Sequence, residues 1–88
     1  MVWSTEQSVF SSSFSPRVLL VDDEPNVLKA LGRTLRQESV QIITAPSGEE
    51  ALEMMREQPV DLLISDMRMP GMSGAELLAQ AAKEWPAT

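Results

Sequence analysis

The sequence contains no cysteine and no histidine. Without cysteine there is no disulfide framework and no thiolate metal site, and nothing argues for an oxidising compartment. The lack of histidine removes the commonest general base and the commonest transition-metal ligand together. Positive charge is also scarce: 7 Lys and Arg stand against 13 Asp and Glu, giving a net charge of −6 and a pI near 4.4. Such a surface repels phosphate backbones and anionic lipid, which argues against direct nucleic-acid binding. No apolar run approaches the roughly 18 to 20 residues of a membrane span. Nor do the first 16 residues carry the basic start and apolar core of a signal peptide, so a cytoplasmic location is expected. Eighty-eight residues allow one small domain whose core has no covalent staple.

What is present falls into two parts. Residues 1–16 are rich in hydroxyl side chains, with Val2, Trp3, Val9, Phe10 and Phe14 scattered without period, and read as a flexible N-terminal extension. Residues 17–88 are regularly punctuated. Val18-Leu19-Leu20-Val21 is a continuous apolar run ending in Asp22-Asp23-Glu24-Pro25, and Leu62-Leu63-Ile64 runs through Ser65 into Asp66-Met67-Arg68-Met69-Pro70-Gly71. Runs of this kind predict strands buried on both faces, the strand type of a parallel sheet. Between them Pro25 suits a first helical position, and a helix is expected to about Glu38 with Val27, Leu28, Leu31 and Leu35 on one stripe. Val40 to Thr44 predicts a second strand. Ser47 with Glu50 and Ser73 with Glu76 are capping boxes that open two further helices. The first of these turns Ala51, Leu52 and Met55 inward. The second carries Leu77, Leu78, Ala81 and Trp85 on its apolar face, and Val60 to Ser65 is the third strand.

The order strand, helix, strand, helix, strand, helix predicts an α/β fold with a doubly wound parallel sheet and helices on both faces. In such sheets the ligand site lies just beyond the carboxyl ends of the strands, so Asp22, Asp23 and Asp66 are delivered to one crevice. Adjacent acids before a proline also serve as helix caps, but an acid at the end of a second buried strand has no capping role. Three neighbouring carboxylates repel one another and call for a cation, and hard oxygen ligands select an ion such as Mg2+. Magnesium is commonly held by one or two carboxylates plus a phosphate. One aspartate is then free to act as a nucleophile toward phosphorus.

Met67, Met69 and Met72 are expected to be packing or loop residues, since no thiolate or imidazole accompanies them. Gly71 and Gly74 form no phosphate-cradling fingerprint, and acids occupy the place after the first strand where such a loop would lie.

Three co-linear segments, Val18 to Pro25, Ala45 to Leu52 and Asp61 to Gly74, make the chain resemble the receiver domain of bacterial two-component response regulators. The resemblance implies a flavodoxin-like fold with the sheet order second, first, third strand. It implies that Asp66 accepts a phosphoryl group from a sensor histidine kinase, and that Asp22, Asp23, Asp66 and the main-chain carbonyl of Arg68 hold Mg2+. Such a module is a phosphoacceptor and not itself an enzyme. Receivers have five strand-helix units and this chain shows three, so a hydroxyl after the fourth strand and a lysine after the fifth are not among its residues. Impaired phosphorylation is therefore expected, as is an open edge at the third strand that could support a homo-oligomer. The alternative reading is a non-phosphorylatable fragment that acts as a self-association or interaction module. A phosphatase of another doubly wound family would want two alternating acids on the nucleophile loop, where Asp66-Met67-Arg68 has a basic residue.

Overall fold

A computed structural model of the protein describes residues 15–36 and 39–88. The N-terminal extension, and the end of the helix expected to reach Glu38, lie outside the described residues apart from Ser15, Pro16 and Arg36. Six elements follow one another: β1 (Arg17–Val21), α1 (Pro25–Leu35), β2 (Gln41–Ala45), α2 (Gly48–Glu57), β3 (Leu62–Ser65) and α3 (Gly74–Glu84). The strands form a parallel sheet in the order β2-β1-β3. This is the α/β arrangement expected from the sequence, and β2 and β3 differ from the expected spans only at their ends.

β1 lies at the centre because it is apolar on both faces, and Val18, Leu19, Leu20 and Val21 are all buried. Its register sets Leu19 between Ile43 and Leu63, and Val21 between Ala45 and Ser65. These odd-numbered positions of β1 meet α2 and α3 in one core, with Ala51, Leu52 and Met55 from α2 and Leu77 and Ala81 from α3. Complete burial of a side chain such as Leu19 contributes about 1.5–3 kcal/mol. Met69 is buried against this core and Met72 packs on it, while Met67 is exposed, in keeping with packing and loop roles.

The other face departs from the sequence reading. Of the stripe Val27, Leu28, Leu31 and Leu35, expected to point inward, Leu28 and Leu35 are half-buried, and the residue of α1 that is fully buried is Gly32. Val27 and Leu31 are each 39% exposed. Helix α1 sits over β1 and β2 and buries Gly32 next to Ile42, whose Cγ2 would be in ordinary contact, 3.8 Å, with a Cβ there. On the same account β3 is not buried on both faces: Leu62 is 50% and Ile64 39% exposed, as is appropriate for an edge. Leu78 is likewise exposed instead of lining the core.

Four hydrogen bonds, three of them involving a side chain, hold the foot of the sheet. Arg17 donates its N–H to Asp61 Oδ2 (2.8 Å) and its guanidinium to the Pro59 carbonyl (2.8 Å), while the Asp61 N–H returns to the Arg17 carbonyl (2.9 Å). The Thr88 hydroxyl donates to the Val60 carbonyl at 2.8 Å, securing the end of the α3 segment to the entry of β3.

Candidate functional site

The acidic residues are placed by the last rungs of the sheet. Asp22 donates its N–H to the Ala45 carbonyl (3.2 Å), and Asp66 donates its N–H to the Val21 carbonyl (2.9 Å), so both backbones are still tied to neighbouring strands as they leave them. The Asp22 carboxylate accepts the Glu24 N–H at 2.9 Å. That local turn directs the chain into α1, whose first position is Pro25, where a missing amide hydrogen costs nothing. Glu24 occupies the capping position but makes no side-chain cap, so the acids at this corner are not there to cap the helix.

Asp22, Asp23 and Asp66 converge as the sequence predicted. Each offers a carboxylate oxygen, and the three oxygens lie within 4.8 Å of one another. Asp22 is nearly buried at 9% exposure, Asp66 is half-buried and Asp23 faces solvent. Among the described residues no basic side chain comes within 4.0 Å of any of them, leaving the cluster's negative charge without a protein counter-ion. The donor set is all oxygen, and its spacing lets two or three carboxylates reach one small hard cation with positions left over for water or phosphate. It fits Mg2+ and does not fit a soft metal. Arg68 lies two residues past Asp66 on the exposed loop.

The loop after Asp66 is shaped by glycine at two points. Gly71 has φ +76°, a left-handed conformation that side chains resist, and the Glu49 carboxylate from the start of α2 lies over it. Gly74 opens α3 with its N–H bonded to the Met67 carbonyl at 3.1 Å. The hydroxyl of Ser65 donates to the Asp66 carbonyl (2.9 Å). At the start of α3, Ser73 and Glu76 form a reciprocal capping box: Glu76 N–H to Ser73 Oγ at 3.2 Å and Ser73 N–H to Glu76 Oε1 at 3.0 Å. The backbone N–H of Ser73, and secondarily its hydroxyl, hold the Glu76 carboxyl below its ordinary value. At α2 the box is half made, with Ser47 Oγ accepting from Glu50 alone. Sequence reasoning did not single out Glu49 or Ser65 as neighbours of the site, because a carboxylate resting on a loop glycine and a hydroxyl bonded to the next carbonyl leave no periodic signal.

Residues 18–88 match the family model described as the response regulator receiver domain. The chain belongs to this family. The transcriptional regulatory protein GlrR of Escherichia coli strain K12 is 46% identical over 69 residues, covering 78% of this chain and 16% of that protein. A signal receiver domain of an HD domain-containing protein from Pseudomonas fluorescens Pf-5 superposes with a TM-score of 0.82 at 32% identity, covering 85% of this chain and 60% of that one. The response regulator TrrA from Thermotoga maritima, solved in complex with Mg2+ and BeF, gives a TM-score of 0.78 at 42% identity, covering 81% of this chain and 62% of that chain. This receiver chain thus spans about a sixth of the curated relative and about three fifths of the solved structures. None of its helices, among the described residues, is long and apolar enough to cross a membrane.

Proposed function

We propose that this chain is a phosphoacceptor module of a two-component system, receiving phosphoryl on Asp66 from a sensor histidine kinase with Mg2+ at Asp22, Asp23 and the Arg68 carbonyl. The observation that carries this reading is the convergence of three carboxylate oxygens, from the ends of two adjacent strands, within 4.8 Å. That a similar receiver was solved with Mg2+ and BeF supports it. Asp66 sits at the rim where a donor can approach, while the more buried Asp22 is held by the Glu24 N–H and is better suited to a fixed ligand role.

In the transfer, a carboxylate oxygen of Asp66 forms a bond to phosphorus as the P–N bond to the kinase imidazole breaks, and the electron pair leaves with that nitrogen. When bound, Mg2+ neutralises charge on the phosphoryl oxygens. The chain is the acceptor and has no turnover of its own, and a cytoplasmic setting follows from the kinase partner. Among the described residues no basic side chain comes within 4.0 Å of the three acids, so a bound Mg2+ would supply the neutralising charge there.

Incubation with Mg2+ and acetyl phosphate, followed by intact mass, tests the proposal. The expected result is one added phosphoryl group that is absent in Asp66→Asn. Label persisting in Asp66→Asn would overturn the assignment. A second role, self-association through the β3 edge, is favoured by the exposure of Leu62 and Ile64 beside a strand with no partner on that side among the described residues.

A further inference from the structure

The opposite edge of the sheet carries a charge pattern that phosphoacceptance does not use. Three of the chain's seven basic residues, Lys29, Arg33 and Arg36, lie between Pro25 and Arg36, a segment that holds none of its 13 acids. Among the described residues none of the three has a carboxylate within 4.0 Å. Two of them, Lys29 and Arg36, line a shallow groove of about 330 Å³ between α1 and β2, floored by Gly32 and bordered by Leu28, Ile42 and Thr44.

The backbone at this groove is also open. Gln41 donates its N–H to the Pro16 carbonyl, and the Ala45 carbonyl accepts from Asp22, so these residues face β1. Successive residues of a strand turn their N–H and C=O groups to opposite sides. The N–H and C=O of Ile42 and Thr44 therefore point outward, where no strand pairs with them among the described residues. Two unpaired backbone positions, with cations above them on an otherwise acidic protein, define both the geometry and the charge of an occupant.

We infer that the β2 edge with its α1 groove docks an extended acidic segment of another protein, added as a strand beside β2. Carboxylates at alternate positions would meet Lys29 and Arg36 on the α1 side. The intervening apolar side chains would extend the opposite face beside Ile43, which is half-buried on the α2 core. A nucleic acid would find the same cations, but it cannot pair with strand amides, and the chain's net charge of −6 opposes its approach.

The probe is a blocked heptapeptide of alternating valine and glutamate, titrated to millimolar concentration into the isotope-labelled 88-residue chain. Amide shifts and slowed hydrogen exchange are expected at Ile42 and Thr44. The double variant Lys29→Glu, Arg36→Glu should bind at least 10-fold more weakly and should gain affinity for the valine-lysine counterpart, while keeping its response to Mg2+ as evidence of folding. Absence of binding, equal binding of the lysine peptide to the original chain, shifts centred away from β2, or equal competition by an oligothymidylate would each overturn the inference. Asp66→Asn should bind the peptide unchanged, which keeps this result separate from the fate of the phosphoacceptor reading.

Discussion

Gly74 lies so close to Asp66 that a Cβ at position 74 would overlap the Asp66 carbonyl oxygen and stand 2.8 Å from the Asp66 carbonyl carbon. The first residue of α3 therefore rests on the main chain of the proposed phosphoacceptor, and nothing flexible separates them. Gly48, in the equivalent place at the start of α2, would instead meet the Met72 side chain, its sulfur at 2.9 Å and its Cβ and Cγ at 3.1 Å.

Gly74→Ala is accordingly expected to destabilise the fold by about 1–3 kcal/mol or more, since backbone must shift, and the roughly 1 kcal/mol that alanine brings to a helix does not offset this. Gly48→Ala should cost less, because its clash is with the Met72 side chain and not with backbone, and the helix preference of alanine offsets part of it. Denaturant melts of the two variants side by side check the contrast. Equal effects would mean that the α3 start is not seated on Asp66 as described.

Magnesium should stabilise the chain by mass action. At an ion concentration 100-fold above the dissociation constant the gain is about 2.7 kcal/mol, and chelation should reverse it. Asp23→Asn should lose most of the response while melting no lower in the absence of the ion, because it removes one of three repelling charges. A thermal melt with and without Mg2+ reads both, and a folded chain indifferent to the ion would contradict an assembled cluster.

The Ser73–Glu76 box supplies a pH-dependent contribution. The folded Glu76 carboxyl lies below its ordinary value of 4.5, so its stabilisation is complete above that value and is lost as pH falls through the lower folded one. Glu76→Gln should flatten the stability profile of α3 across that acidic window, lowering its stability near neutral pH, where the ionised carboxylate contributes fully, and matching the original chain at the acidic end. Amide exchange of the first turn of α3 from pH 2.5 to 6 provides the measurement.

Self-association through β3 should be sensitive to its exposed side chains. Leu62→Lys or Ile64→Lys places a charge on the open edge at little cost to the monomer. Light scattering should show a concentration-dependent species in the original chain and a monomer in either variant. A monodisperse original chain at high concentration would leave the edge without this role.

The site was legible because its three acids stand at the ends of apolar runs, and a parallel sheet puts strand ends together. Both serine-glutamate pairs also marked helix starts, although Ser47 and Glu50 close only half the box seen at Ser73 and Glu76. Illegible was the seating of α1. Periodicity counts apolar side chains and puts Val27, Leu28, Leu31 and Leu35 on one stripe, whereas the helix buries Gly32 over β2 and leaves Val27 and Leu31 exposed. The Thr88 tie to Val60 and the contact of Glu49 with Gly71 escaped for a related reason, since each joins distant positions through one polar group.

Val21 pairs with Ser65, so the acidic cluster exists only after β1, which leads into Asp22 and Asp23, has captured β3, which leads into Asp66, more than 40 residues further along the chain. An ion that needs this capture finds no site in a partly folded chain that has paired β1 with β2 alone. Its stabilisation is then absent from any folding transition state reached before β3 docks. In kinetic terms, Mg2+ should lengthen the lifetime of the native chain by slowing unfolding, with the refolding rate left almost untouched.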